Sequence, residues 1–313
     1  MARTARIEYA GAVYHVISRG NYRKDLFTVG KSGEKFEEAL MQACQKSGWK
    51  LHAYVIMSNH YHLCLETAEG NLVEGMRWLQ GTFGNRFNRF TGERGHVFQG
   101  RYKALLLEHG DWLVSLVNYI HLNPVRAGIV NIENLKGYRL SSYPHYFKKT
   151  PPGCLCRSAF LKQAGFSVGL KGMKAYEQYL KNRQEGNPNN RKDLEKRFCR
   201  GWAIAEKKDR LELAKSLATM NVQKNWGGKH LREINEQKWE QLVVKYLERE
   251  GMSDEDVKGA RKLVEWKIRI AQRLRTETAA SNPWIANRLN MGHPSHVSRY
   301  AGKYQNTRPD PAS

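Results

Sequence analysis

Hydrophobic and polar residues follow two different periods along the first half of the chain. Short apolar runs bounded by turn residues predict strands at 12–18, 50–57, 60–66 and 102–108. Apolar residues spaced by three or four predict helices at 34–47 and 72–90. A third helix is expected from about Asp111 to Leu122 or Asn123, because Pro124 then favours a stop.

The order of these elements predicts the fold class of the first half. Strand, helix, strand, strand, helix, strand and helix in succession suit an α+β fold with a mainly antiparallel sheet. We expect a ferredoxin-like or RRM-like arrangement, in which helices cover one face of the sheet and the other face is open to a substrate.

The pattern changes at the segment KKTPPG (148–153), which predicts a domain boundary. We expect one domain at 1–150, a helical extension or linker at 151–190 and an all-helical C-terminal region at 191–313. The predicted helices of this second half are 157–165, 172–185, 192–219, 231–250, 254–275 and 282–301, with a polar break at 186–190.

The segment 282–301 has the outline of two short helices around a glycine-containing turn. Ile285 and Leu289 share one apolar face, and Pro294 is suited to the first position of a second helix. This pattern fits a helix-turn-helix that binds duplex DNA, and it fits an ordinary helical hairpin equally well. In a helix-turn-helix, the residues facing DNA would be Ser295, His296, Ser298 and Arg299.

Composition adds a partner class to this picture. The 313 residues carry a formal net charge of +22, with +8 before and +14 after residue 150. Together with 15 Tyr, 10 Phe and 8 Trp, this surplus favours nucleic acid as the partner, the alternative being a basic protein without one.

Cysteine usage and the N-terminal residues predict the compartment. Five cysteines without a CxxC pair are typical of reduced thiols inside a cell. The N-terminal segment MARTARIEYAG lacks the apolar core of a signal peptide, and no apolar run is long enough to span a membrane. We therefore expect a cytoplasmic, nucleoid-associated protein without a membrane partner.

Two histidines in one predicted strand are the first candidate chemistry. His60 and His62 point to the same face, about 7 Å apart along the strand, and are either packed core residues or two ligands of one metal. In the third helix, Tyr119 and Asn123 lie one turn and about 40° apart. Their side chains can reach one point in space. The alternative is that Tyr119 is an aromatic residue at the edge of the core and Asn123 a polar residue at the helix end.

Four segments together resemble the REP-associated tyrosine transposases, of the single-tyrosine HUH transposase superfamily. The resemblance covers residues 7 to about 150 in order, and the segments are SRGNYRKDLF (18–27), AYVIMSNHYHLCLET (53–67), GHVFQGRYKALLLE (95–108) and YIHLNPVRAG (119–128). It implies a bacterial DNA transposase that nicks and rejoins single-stranded or hairpin DNA through a 5′-phosphotyrosine intermediate, by transesterification.

The resemblance also implies roles for individual residues. His60 and His62 take the positions of the HUH histidines, Tyr119 that of the nucleophile, and Asn123 that of a third metal ligand. The implied cofactor is a divalent metal ion, Mg²⁺ or Mn²⁺; imidazole ligands suit Mn²⁺ better, since Mg²⁺ prefers oxygen.

Charged and polar residues flanking these motifs are candidates for DNA contacts, or else solvated surface residues. They are Arg19, Asn21, Arg23, Lys24, Arg101, Lys103 and Arg126.

Two alternatives share the predicted fold. One is a catalytically silent DNA-binding regulator, which the intact Tyr119, His60 and His62 disfavour. The other is an HUH relaxase or replication initiator, which commonly carries paired tyrosines, whereas Tyr119 has no tyrosine one turn away. A monomer and a homodimer are both compatible with the sequence.

Overall fold

The computed structural model describes residues 7–108, 111–184, 197–219 and 232–301. The chain forms two compact units, one spanning residues 6–210 and the other built from the residues after 210. The division into catalytic domain, extension and DNA-binding region stays a prediction.

A five-stranded mixed sheet organises the first unit. Its order is β2-β3-β1-β4-β5, and all neighbours are antiparallel except β4 and β5, which are parallel. The strands are β1 Ala12–Arg19, β2 Trp49–Ile56, β3 His60–Thr67, β4 Lys103–Leu107 and β5 Ala203–Ile204. The mainly antiparallel sheet predicted from the sequence is confirmed, with the two-residue β5 as an addition.

Helices of the first unit follow the predicted apolar periods. In α1, Phe36, Leu40 and Cys44 are buried, and the helix ends where Gly48 takes a left-handed φ of 62°. The helices are α1 Ser32–Ser47, α2 Leu72–Thr91, α3 Asp111–His121, α4 Asn123–Arg126, α5 Ser142–Tyr146, α6 Arg157–Gln163 and α7 Leu170–Gln184. Helix α8, Lys207–Thr219, runs across the boundary of the two units.

Helices α1 and α2 cover one face of the sheet, as predicted, and α3 packs against the other face as an addition. On one face, the Tyr61 ring stacks 4.6 Å from Phe36 of α1, and Gln80 of α2 donates to the Tyr61 hydroxyl at 2.9 Å. Adjacent strand residues point to opposite faces. On the opposite face, Tyr119 of α3 contacts His62 edge-on at 5.7 Å. This face is therefore partly covered by α3.

The segment after α7 differs from the predicted continuous helix at 192–219. Residues 197–199 are helical, but 200–206 are not, and β5 pairs with Leu106 and Leu107 of β4. The all-helical prediction for 191–313 is wrong at this point, because hydrogen bonding to the sheet edge outweighs the local preference. The predicted break at 186–190 and helix start at 192–196 lie outside the described residues.

The second unit is helical where it is described after residue 231. The predicted helix 254–275 is two helices, because residues 260–264 leave the helical conformation. Buried Ile270, Leu274, Ile285 and Val297 belong to one apolar core. The helices are α9 Arg232–Arg249, α10 Asp254–Gly259, α11 Glu265–Glu277, α12 Asn282–Arg288 and α13 Pro294–Ala301.

Two further observations concern the chain as a whole. All five cysteines are free in this structure. Among the described residues, no helix has both the length and the apolar character that crossing a membrane requires.

Candidate active site

The two histidines of β3 lie on the face opposite Tyr61, as the strand period predicts. His62 pairs with Ile17 of β1, and His60 pairs with Arg19. The His60 and His62 ring centroids are 5.1 Å apart, with the rings nearly perpendicular. The register therefore brings two imidazoles and one guanidinium to the same end of the central strands.

Tyr119 and Asn123 lie on consecutive short helices rather than on one. Helix α3 ends at His121, and α4 begins at Asn123 with Pro124 in its first turn. Proline has no N–H to donate, so it is tolerated there. Pro124 thus starts a new turn instead of ending the helix, and both side chains still reach the same cavity.

The side chains of the predicted site line one cavity of about 540 Å³. It contains His60, His62, Tyr119 and Asn123. None of the described residues lining it is acidic. The other lining residues are Ile17, Ser18, Arg19, Met57, Gln99, Arg101, Lys103, Arg126, Ala127 and Cys199. The cavity is therefore suited to an anion such as a phosphodiester.

Burial keeps both imidazoles neutral at physiological pH. Burial, followed by the charge of Arg19, lowers the pKa of His60 to about 4. Burial lowers the pKa of His62 well below its usual value, with smaller contributions from His15, His60 and Arg19. Neutral imidazoles retain a nitrogen lone pair, which is the form that binds a metal.

Each histidine has one ring nitrogen in a hydrogen bond. His60 Nδ1 lies 2.8 Å from Asn59 Oδ1, and His62 Nδ1 lies 2.9 Å from His15 Nε2. Metal-binding histidines usually have such a partner on the nitrogen that does not bind the metal.

Tyr119 is nearly enclosed by aromatic and basic groups, and only 6% of its surface is exposed. Its ring packs 4.9 Å from that of Phe198. Its hydroxyl lies 3.5 Å from Cys199 Sγ. The Arg126 guanidinium lies 5.0 Å from the Tyr119 ring centroid and donates to the Tyr119 carbonyl at 3.0 Å. These contacts fix the direction in which the phenol points.

The donor set fits a divalent cation of borderline softness. His60, His62 and Asn123 offer two imidazole nitrogens and one amide oxygen to the same cavity. No group of three or more His, Cys, Asp or Glu side chains is arranged for a metal in the described part of the chain. A cation held here would complete its coordination with substrate and water oxygens.

The predicted DNA contacts of the first unit divide into two groups. Arg19, Arg101, Lys103 and Arg126 line the cavity. Lys103 also donates to the carbonyl of Cys199. The second group does not line the cavity: Asn21, Arg23 and Lys24 follow β1, and Lys24 forms an ion pair with Glu93.

The predicted DNA-facing residues of the second unit lie on α13. Ser295, Ser298 and Arg299 are exposed. His296 is partly buried, and its Nδ1 lies 2.8 Å from the Met291 carbonyl. The two helices are present, but the helix-turn-helix stays a prediction.

Sequence reasoning missed three residues beside the cavity. His15, Phe198 and Cys199 are in contact with His62 or Tyr119. A histidine inside the apolar strand AVYHVIS was a signal for the first. The other two lie about 80 residues after Tyr119, and nothing in their local pattern indicates that they return to the sheet.

Comparisons with known proteins give a family match that includes His60, His62, Tyr119 and Asn123. Residues 8–123 match the family model described as "Transposase IS200 like". No curated protein matches the chain significantly. The chain is similar to a solved structure of a REP-associated tyrosine transposase bound to a REP hairpin, with 17% sequence identity. That match covers 49% of this chain and 90% of the other, with a TM-score of 0.40. The chain is also similar to a candidate transposase from Deinococcus radiodurans R1, with 20% identity, 43% and 98% covered, and a TM-score of 0.28.

Proposed function

We propose that the chain nicks and rejoins single-stranded or hairpin DNA. The premise is the match of residues 8–123 to the IS200-like transposase family. The observation that carries this proposal is the convergence of Tyr119, His60, His62 and Asn123 on one cavity without acidic residues. REP-like hairpins are the proposed substrate class, because the four segments resembling REP-associated transposases include all four of these residues.

Tyr119 is the proposed nucleophile. Its phenolic oxygen attacks the scissile phosphorus, the bond to the 3′ oxygen breaks, and the products are a 5′-phosphotyrosine and a free 3′-hydroxyl. Attack by a 3′-hydroxyl on the phosphotyrosine reverses the step, so a second strand end can be joined without an external energy source. The Arg126 guanidinium, 5.0 Å from the Tyr119 ring centroid, lies where it offsets negative charge developing on the phenol.

His60, His62 and Asn123 are the proposed ligands of a divalent metal ion. When bound, Mg²⁺ or Mn²⁺ polarises the phosphate and offsets the charge of the transition state. The three side chains would hold this ion and fix its position relative to Tyr119. Arg19, Arg101 and Lys103 bind the neighbouring phosphates, since they line the same cavity.

The experiment that tests this function follows the two ends of one DNA strand. Hairpins with single-stranded flanks, labelled at either the 3′ or the 5′ end, are incubated with protein and Mn²⁺, Mg²⁺ or EDTA. Denaturing gels should show the 3′ label moving with the protein and the 5′ label on a shortened free strand. A 5′ label on the protein would reverse the proposed polarity.

A silent DNA-binding regulator is the second candidate, favoured by the low exposure of Tyr119 and by the contact of its hydroxyl with Cys199. The two candidates differ in one outcome. Tight hairpin binding without any covalent adduct, over a panel of hairpins and scrambled strands, would support the regulator and exclude the nuclease.

A further inference from the structure

Two chains of hydrogen bonds lead from backbone carbonyls to the two candidate metal ligands. The first begins at the Phe198 carbonyl, which lies 2.8 Å from His15 Nδ1. His15 Nε2 then lies 2.9 Å from His62 Nδ1. Both imidazoles are buried, with 0% and 3% of their surface exposed, so water does not compete for these bonds.

The first chain fixes the positions of the protons. A carbonyl oxygen only accepts, so His15 Nδ1 carries the hydrogen and donates it. A neutral imidazole carries a single N–H, and in the fully buried His15 ring that hydrogen is on Nδ1, so His15 Nε2 is an acceptor. His62 Nδ1 must then be the donor, and the lone pair of the neutral His62 ring is on Nε2.

The second chain gives the same result for His60 through a different residue. Asn59 Nδ2 donates to the carbonyl of Arg23 at 3.2 Å. This bond orients the Asn59 amide so that its oxygen, Oδ1, lies 2.8 Å from His60 Nδ1. An amide oxygen accepts only, so His60 also carries its hydrogen on Nδ1 and its lone pair on Nε2.

We propose that His15 and Asn59 are positioning residues, which hold His62 and His60 as Nδ1–H tautomers and so present both Nε2 atoms to one cation. The inference rests on the proposed function for the identity of the bound group. The hydrogen-bond chains themselves are independent of DNA chemistry. They also give the segment at 197–199 a role in the site, since its carbonyl determines which nitrogen of His15 is protonated.

The proposal is tested first on the metal-free protein. Long-range ¹H–¹⁵N spectra of histidine-labelled protein at neutral pH distinguish the two tautomers, and spectra of His60→Ala and His62→Ala assign the signals. Both histidines should be protonated on Nδ1. Protonation of His62 on Nε2 in the wild type would overturn the role of His15, and the same result for His60 would overturn that of Asn59.

The second measurement is Mn²⁺ affinity of the full chain, by titration calorimetry. His15→Phe keeps the ring shape but removes the acceptor, and it should weaken Mn²⁺ binding by about 10- to 100-fold. His15→Gln places an amide oxygen near the lost nitrogen and should restore much of the affinity. Asn59→Leu removes the acceptor of His60 and should likewise weaken Mn²⁺ binding. It serves as the second variant if His15→Phe prevents folding.

His121→Phe is the matched control, because His121 is equally buried, makes two side-chain hydrogen bonds, and does not line the cavity. It should retain wild-type Mn²⁺ affinity. Unchanged affinity and an unchanged His62 tautomer in His15→Phe would overturn the inference. The absence of Mn²⁺ binding in the wild type would instead contradict the proposed function, while the spectra would still report both tautomers.

Discussion

The hydroxyl of Tyr119 lies 3.5 Å from the sulfur of Cys199, so two nucleophilic atoms are neighbours in one cavity. The proposed reaction uses the phenol. Tyr119→Phe removes only that oxygen and should abolish the covalent adduct, while hairpin affinity stays close to wild type.

Cys199→Ser is the control for Tyr119→Phe. A serine hydroxyl can replace the thiol as a hydrogen-bonding partner, so adduct formation should persist. An adduct that survives in Tyr119→Phe and disappears in Cys199→Ser would reassign the nucleophile to the thiol. Both results are read from the labelled-hairpin gel.

Removing either candidate imidazole should affect metal binding and cleavage together. We expect His60→Ala and His62→Ala to abolish cleavage and to weaken Mn²⁺ binding in calorimetry. Asn123→Ala should have a smaller effect, because water can replace one oxygen ligand. His96→Ala is the matched control, since His96 is exposed and does not line the cavity. If both imidazole variants bind Mn²⁺ as the wild type does, the pair is structural.

The cavity cations should determine how binding to single-stranded DNA depends on salt. Arg101→Ala and Lys103→Ala each remove one expected phosphate contact. Each should reduce the slope of log affinity against log salt by about 0.7. Lys35→Ala should leave the slope unchanged, since Lys35 is on α1 and forms an ion pair with Glu38. Equal slopes in all three variants would place the DNA elsewhere.

Duplex binding by the second unit is best tested by substitutions on the surface of α13. A deletion from residue 276 would remove Ile285 and Val297 from the apolar core, and its effects could not be separated from unfolding. Arg299→Ala should weaken duplex binding and its salt dependence, and it should leave cleavage of a short hairpin intact. Arg261→Ala, on an exposed residue between α10 and α11, is the control. Identical duplex affinities in the two variants would leave α13 a structural helix.

The buried His52 should make folding sensitive to acid. Burial lowers the pKa of His52 below its usual value, and this effect exceeds the opposing attraction of Glu66. The unfolded chain therefore takes up the proton first, and stability is lost as the pH falls below about 6.5. At pH 5 the loss is at most about 2 kcal/mol. Urea unfolding at pH 7 and pH 5 should show a smaller loss in the free energy of unfolding for His52→Gln than for the wild type. An equal loss in the two proteins contradicts this prediction.

The sequence predicts much of the site because its residues lie on strongly periodic elements. The alternation of β3 places His60 and His62 on one face, and the helical period places Tyr119 and Asn123 on one side. Residues 8–123, which contain all four of these residues, match the family model described as "Transposase IS200 like". The roles of the individual residues stay predictions.

Long-range pairing explains what the sequence did not predict. The contact of His15 with His62 depends on the register of β1 against β3, which no local pattern determines. The same is true of Phe198, which reaches His15 from 183 residues along the chain. A two-residue strand such as β5 is too short to produce an alternation, so its pairing with β4 appears only in the structure.

The short strand β5 has a practical consequence for experiments on a fragment of the first unit. The amides of Leu106 and Glu108 donate to the carbonyls of Trp202 and Ile204. A fragment that stops at residue 150 would leave these amides unpaired along the apolar edge KALLL. Such an edge can pair with the same edge of another molecule, so the fragment should self-associate. A fragment of the first unit that remains monodisperse would have to extend beyond residue 204.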